Sequence, residues 1–144
     1  RALGEVNPLA IEEYEEVKKH SLYSYNISKK ILAEHTDLHG LPKIIKHHHE
    51  RYDGKGYPEG LKQEEIPFYS YILSIADSVD AMLSDRPYKK SYSLEKVIKE
   101  LHINKGKQFH PELVGVMINM LSKVQRHKQT LCWMRMTNLA KIEY

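Results

Sequence analysis

The residues most able to do chemistry lie in one short segment, residues 47–58, which reads His-His-His-Glu-Arg-Tyr-Asp-Gly-Lys-Gly-Tyr-Pro. Neutral imidazole is the commonest metal ligand in proteins. Successive helical residues point about 100° apart, so His48 and His49 would not readily chelate one ion from the same face. They could each bind one of two adjacent ions, an arrangement that hydrolyses phosphoesters. The alternative is a solvated helix end, where histidine suits the negative end of the helix dipole.

Hydrophobic spacing predicts the helices that would position this segment. Gly54 and Gly56 end the histidine helix and begin a long loop that reaches about residue 65. The most apolar helix follows and contains Asp77 and Asp80, and an ionised carboxylate in a core helix is costly unless it is paired or metal-bound. No convincing strand pattern appears, so the fold class is all-α, with about five to seven helices. The predicted helices cover residues 8–20, 22–33, 42–49, 67–84, 93–103 and a stretch from 111 onward. The apolar stripes predicted to be buried in the second, fourth, fifth and sixth of these helices are, in turn, Tyr23, Ile27, Ile31 and Leu32; Phe68, Ile72, Ile75, Val79 and Met82; Leu94, Val97, Ile98 and Leu101; and Leu113, Val114, Met117, Ile118 and Leu121.

Composition bounds the function classes. The chain has 144 residues, 41% hydrophobic and 28% charged, as expected of one globular domain. Its net charge of +3 is too small to predict binding to a nucleic-acid polymer. One cysteine, Cys132, excludes an internal disulfide and favours a reducing, cytoplasmic setting. No apolar run approaches the roughly 20 residues of a membrane helix. A first residue of Arg1 suggests a piece of a longer protein.

Residues 48–58, continued by Gly60-Leu61 and Ile66-Pro67, closely resemble the signature of the HD-GYP family. That family comprises bacterial metal-dependent phosphodiesterases acting on cyclic dinucleotides, chiefly cyclic di-GMP. The resemblance implies an HD-superfamily helical bundle over residues 1–126, incomplete at its amino end. Residues 127–144 match no motif and are predicted to be a tail, either a helix or a partner-facing segment. The resemblance also implies hydrolysis of cyclic di-GMP to linear pGpG or GMP in second-messenger signalling.

The resemblance implies a metal set drawn from different helices. His20 ends a Lys-Lys-His-Ser stretch similar to the family's single-histidine ligand helix, His48 and His49 match its double histidine, and Asp77 matches its ligand aspartate. The implied cofactors are divalent ions, Fe or Mn, two or more in a complete domain, which activate water in place of a catalytic side chain. Taken alone, His20 could equally be a helix-end cation. Asp77 could equally be a buried carboxylate paired with Arg86 or a lysine.

Further residues match the family's substrate and loop positions. Arg86 and Lys89 match a phosphate-contacting pair, in which arginine offers a fork and lysine a point charge, although a solvated turn is the commoner fate of such residues. His47 is an extra imidazole, expected beside the ligands or in solvent, and His110 is expected to cap a helix. The loop residues implied to orient the ligand histidines or to fix the loop path are Glu50, Asp53, Gly54, Gly56, Tyr57 and Pro58.

One family feature is absent: the sequence contains no adjacent His-Asp pair, which in the family supplies a ligand and the bridging aspartate. Upstream helices of a longer chain could supply the pair, another chain could supply it, or the protein is a degenerate member. Three functions therefore stay open: a cyclic di-GMP phosphodiesterase, a regulatory or protein-interaction module, and a hydrolase of another cyclic nucleotide. The resemblance implies that the loop containing Gly56, Tyr57 and Pro58, called the Gly-Tyr-Pro loop, contacts diguanylate cyclase domains. It also implies an upstream sensor or receiver domain in the parent protein. A homodimer is also open.

Overall fold

The computed structural model describes residues 11–85 and 90–139, and the side chains of residues 16, 18–85 and 90–127. Within those ranges the chain is helical, with single 3-10 turns at Thr36–Leu38 and Gln63–Glu65 and no strand. This architecture confirms the predicted all-α bundle. The five α-helices are α1 (Ile11–Ile31), α2 (Leu41–Lys46), α3 (Phe68–Leu83), α4 (Leu94–Ile103) and α5 (Pro111–Leu139).

The hydrophobic core forms where α3, α4 and α5 meet. The predicted stripes of α4 and α5 are confirmed, because Val97 and Leu101 are fully buried and Val114 is 1% exposed. The predicted stripe of α3 is only half right, since Phe68 and Ile72 are exposed. The amino-terminal half of α3 instead turns Ser70, Tyr71 and Ser74 inward, and the Ser70 hydroxyl donates to the Ile44 carbonyl of α2 at 3.0 Å.

Helix α1 is one continuous helix where the hydrophobic pattern predicted two. No glycine or proline interrupts residues 20–22, and Ser21 is fully buried within the helix. The predicted apolar stripe of Tyr23, Ile27 and Ile31 is wrong, because all three are more than half exposed. His20 therefore lies in the middle of a helix, which contradicts its alternative interpretation as a helix-end cation.

Helix α2 ends three residues earlier than predicted, at Lys46. His47, His48 and His49 form a turn, closed by a hydrogen bond from the Glu50 N–H to the His47 carbonyl at 3.0 Å. Because His48 and His49 are not helical, the 100° separation expected between their side chains does not apply. The two imidazoles are free to converge.

Helix α5 continues to Leu139, so the described part of the predicted tail, residues 127–139, is helical, one of its two predicted forms. The division of the chain at residue 127 stays a prediction. His110 precedes this helix and its Nδ1 accepts the Glu112 N–H at 3.3 Å, the capping role predicted for it. In the part of the chain that the structure describes, no helix is both long enough and apolar enough to cross a membrane.

Candidate metal centre

Three imidazoles from two separate elements converge on one spot. His20 comes from α1, and His48 and His49 come from the turn after α2; one ring nitrogen of each lies within 4.8 Å of the others. The Nε2 atoms of His20 and His49 are 2.9 Å apart, and the ring centroids of His48 and His49 are 3.9 Å apart. All three side chains are half-buried. We call this set the imidazole group.

The protonation of the rings suits them to bind a cation. His48 Nδ1 lies 2.5 Å from the Ile45 carbonyl oxygen, which can only accept, so in the neutral ring this nitrogen carries the proton and Nε2 has the lone pair. Burial, together with the neighbouring His48 and His20, lowers the pKa of His49 from 6.5 to about 3. His49 is therefore neutral at physiological pH, the form that ligates metal.

The distances within the imidazole group also fit a shared ion. Imidazole nitrogens ligate metals such as zinc at about 2.0–2.1 Å, so two ligands at right angles on one ion lie about 3 Å apart. The 2.9 Å separation of the His20 and His49 Nε2 atoms agrees with that value. Nitrogen donors of this kind suit Zn, Cu, Fe and Ni. The donor set thus fits a transition-metal ion.

Asp77, the predicted fourth ligand, lies outside the imidazole group in the described part of the chain. Its side chain on α3 is exposed, which contradicts the alternative that it is a buried structural carboxylate. Seven residues are almost two helical turns, so Asp77 shares a face with Ser70, the residue that contacts α2. Its role as a ligand stays a prediction.

The predicted phosphate-contacting pair, Arg86 and Lys89, lies outside the described residues. The chain is described up to Asp85, two residues past the end of α3, and again from Lys90. The Asp85 carboxylate accepts the Ser91 N–H at 2.7 Å, so the two described flanks meet. The assignment of Arg86 and Lys89 to substrate phosphates stays a prediction.

The Gly-Tyr-Pro segment packs directly on the imidazole group. The Tyr57 ring stacks on His49, with centroids 4.9 Å apart and planes 26° apart, and meets His20 edge-on at 6.3 Å. The Tyr57 N–H also donates to the His49 carbonyl at 3.3 Å. The motif resemblance predicted only that Tyr57 fixes the loop path. The contact of Tyr57 with His49 was not predicted, because no local sequence pattern indicates it.

Glu50 connects the histidine turn to the far side of the loop. Its side chain is 1% exposed, and Oε1 accepts the N–H groups of Glu59 at 2.7 Å and Gly60 at 3.0 Å. Burial raises the pKa of this carboxyl, although the two N–H donors oppose the change. These contacts support the predicted role of Glu50 in holding the turn that carries His48 and His49.

Asp53 shapes the loop and makes no contact with the imidazole group. Its two oxygens accept from the Arg51 guanidinium at 2.9 and 2.7 Å, which lowers the pKa of the Asp53 carboxyl. Asp53 Oδ1 also accepts the Lys55 N–H at 3.2 Å, and Gly54 follows with φ of 76°, a left-handed conformation that favours glycine. Backbone N–H groups of Tyr52 and Asp53 donate to the carbonyls of residues 108 and 107, which ties the loop to the segment before α5.

His47 is 7% exposed, so the interpretation of it as a solvent-exposed imidazole is wrong. Its Nε2 pairs with Glu59 at 2.9 Å, and Lys46 binds the other oxygen of the same carboxylate. Hydrogen bonds from Lys46 and His47 lower the pKa of Glu59. Sequence reasoning missed Glu59, because its partners lie 12 and 13 residues earlier and the intervening loop hides their proximity.

The lowered pKa of His49 predicts acid sensitivity of the metal-free chain. Between pH 6.5 and about 3 the unfolded chain binds a proton at His49 that the folded chain does not. The free energy of unfolding should therefore fall as the pH drops through this window, by up to about 1.4 kcal/mol per pH unit, and should not depend on His49 above it. Urea unfolding at several pH values measures this slope.

His49→Gln should flatten the slope, and His39→Gln, which removes an exposed histidine outside the imidazole group, should leave it intact. An equal slope in wild type and His49→Gln would contradict the assignment of a buried, neutral His49.

The sequence is similar to a known protein family and to several curated proteins. A family model described as an HD domain matches residues 3–113. The chain is 38% identical over 116 residues to a cyclic di-GMP phosphodiesterase of Thermotoga maritima, an alignment that covers 81% of this chain and 31% of that protein. It is 32% identical over 118 residues to a cyclic di-GMP phosphodiesterase response regulator of Xanthomonas campestris, covering 82% and 31%.

A third relative differs in its named substrate. A 3'3'-cGAMP-specific phosphodiesterase of Vibrio cholerae is 33% identical over 110 residues, covering 76% of this chain and 21% of that protein. The chain thus spans between a fifth and a third of the length of these curated relatives.

Proposed function

The chain belongs to the HD domain family, as its motif predicted, and on that premise we propose that it is the metal-binding portion of a phosphodiesterase that hydrolyses cyclic di-GMP to linear pGpG or GMP in bacterial signalling. The observation that carries the proposal is the imidazole group: three rings from α1 and the turn after α2, with the pKa of His49 held far below neutrality. A solvated histidine run would not bring His20, from a different helix, within hydrogen-bond distance of His49.

The proposed ligands are His20, His48, His49 and Asp77, with Fe or Mn as the ions and two or more ions in a complete domain. A bound ion of this kind polarises a phosphoryl oxygen and lowers the pKa of water. The protein's part is to keep the ligand nitrogens unprotonated and in place. The Ile45 carbonyl fixes the His48 tautomer, Tyr57 supports the His49 ring, and Glu50 ties the turn to the loop.

Substrate recognition is proposed for Arg86 and Lys89. A guanidinium can donate two parallel hydrogen bonds to one phosphate, and an ammonium adds a mobile positive charge. Both follow α3 closely, and α3 carries Asp77 on the face that contacts α2. That order along the chain supports a phosphate site next to the ligands.

A second candidate substrate is 3'3'-cGAMP, because a relative with that named specificity is about as similar to this chain as the Xanthomonas relative. The chemistry would be the same, and the bases alone would distinguish the two substrates. We further propose a cytoplasmic location and the Gly-Tyr-Pro loop as a contact surface for diguanylate cyclase domains. The exposed side chain of Lys55 in that loop supports the second point.

The test is metal content and turnover measured on the same preparation. The chain is purified, loaded anaerobically with Fe²⁺ or with Mn²⁺, assayed for bound metal, and incubated with cyclic di-GMP or 3'3'-cGAMP. Bound metal and linear product from cyclic di-GMP support the proposal, and faster turnover of 3'3'-cGAMP selects the second candidate. His49→Ala should abolish both readouts, whereas His102→Ala, which removes an exposed histidine of α4, should change neither. A chain that binds no metal and forms no product would instead be a regulatory module.

A further inference from the structure

A cavity of about 310 Å³ lies between α1 and the start of α2, away from the residues of the imidazole group. Tyr25 and Lys29, four residues apart on one face of α1, form its first wall together with Leu32, which directly follows the helix. His39, Pro42 and Lys43 form the opposite wall. None of the residues that line the cavity belongs to the proposed metal or substrate site.

Among the residues that the structure describes, none neutralises the positive charge in this cavity. No acidic residue lines it, and neither Lys29 nor Lys43 forms an ion pair with any residue that the structure describes. The neighbouring Lys46 differs, because Glu59 neutralises it. Two ammonium groups at one concave surface, with no counter-ion among the described side chains, create a local positive potential that attracts anions.

The remaining lining offers an apolar and aromatic surface. Tyr25 is partly buried, Pro42 is buried, and Lys29 Nζ lies 5.9 Å from the Tyr25 ring centroid. Pockets for small ligands have volumes of about 300–1,000 Å³. At about 310 Å³ this cavity lies at the small end, which suits one nucleotide or a simple phosphate and not a cyclic dinucleotide.

We propose that this cavity is a second anion site, which binds a phosphate-bearing small molecule through Lys29 and Lys43. A free phosphate would use the lysines alone, and a mononucleotide would also place its base against Tyr25. The site goes beyond the proposed hydrolysis. A ligand in this cavity would contact both α1 and α2. Because α1 carries His20 and α2 directly precedes the turn with His48, the packing of the two helices gives this domain a means to sense phosphate or a nucleotide.

The test maps binding by amide chemical shifts of the full chain, titrated first with inorganic phosphate and then with AMP. Shifts centred on residues 25, 29, 39 and 43 support the proposal. Tighter binding of AMP than of phosphate identifies a mononucleotide as the ligand, and equal binding identifies simple phosphate. Shifts centred on residues 20, 48 and 49, or no response at about 10 mM of either probe, would overturn it.

Charge variants test the two lysines directly. Lys29→Gln and Lys43→Gln should each weaken binding by about tenfold, the loss of one charge-assisted hydrogen bond. Lys30→Gln is the matched control, since Lys30 neighbours Lys29 on α1 and is exposed but does not line the cavity. An equal loss in Lys30→Gln would show a general charge effect and reject the site. Because these variants leave all proposed metal ligands intact, failure here is distinguishable from failure of the proposed hydrolysis.

Discussion

Gly56→Ala is expected to lower the free energy of unfolding by about 3 kcal/mol or more, or to displace the whole loop from the histidine turn. A Cβ atom at position 56 would lie 2.5 Å from Glu50 Cα, 2.5 Å from Arg51 N and 2.6 Å from the His49 carbonyl oxygen. All three are backbone atoms, so no flexible side chain can move aside. The clash involves the backbone of residues 49–51, which positions His49, and Gly56 directly precedes Tyr57. Metal binding should therefore weaken as well.

Urea unfolding of the metal-free chain measures the change, and two alanine variants control for the loss of glycine itself. A Cβ at Gly40 or at Gly115 would meet nothing within 4 Å. Gly40→Ala should therefore change the unfolding free energy by less than about 1 kcal/mol, and Gly115→Ala, within α5, should raise it by about 0.5–1 kcal/mol. Gly56→Ala with wild-type stability and an unchanged Tyr57 environment would refute the close packing of this loop.

The contrast between these glycines shows where sequence reasoning succeeds. Gly54 and Gly56 are local signals, and they predicted the loop correctly, although α2 ends at Lys46, before either glycine. The stripes of α4 and α5 were likewise predictable, because each helix buries one periodic face in the core. Gly56 cannot carry a side chain because the loop packs against the backbone of residues 49–51. Hydrophobic periodicity contains no information on that contact.

The amino-terminal half shows where sequence reasoning fails. On α1 the apolar residues Tyr23, Ile27 and Ile31 are exposed, whereas Ser21 is fully buried. The Tyr25 ring faces α2, with its centroid 5.5 Å from Lys46 Nζ. Hydrophobic spacing therefore pointed to the wrong face. For His20 the residues left two interpretations open, and only the family resemblance favoured a ligand. The pairing of His20 with His49 spans 29 residues, a distance that no local pattern reaches.

The pairing of His20 with His49 predicts that a substitution of His20 has the largest effect on metal binding. His20→Ala should weaken the affinity for Mn²⁺ by about 100-fold or more, since even residues that only support a ligand change affinity by about 10–100-fold. His20 provides the ligand nitrogen that lies 2.9 Å from His49 Nε2, and α1 supplies no other ligand to the imidazole group in the described part of the chain. Isothermal titration of the metal-free chain with Mn²⁺ gives the affinity directly.

Two further variants separate ligation from packing. His102→Ala removes an exposed histidine of α4, outside both the imidazole group and the cavity, and should leave Mn²⁺ affinity unchanged. His20→Gln keeps the polarity and much of the volume of the ring but lacks the imidazole nitrogen, so it should fold as well as wild type and still lose metal. If His20→Gln bound Mn²⁺ as tightly as wild type, His20 would be a packing residue. The convergence of α1 with the histidine turn would then stabilise the fold without building a metal site.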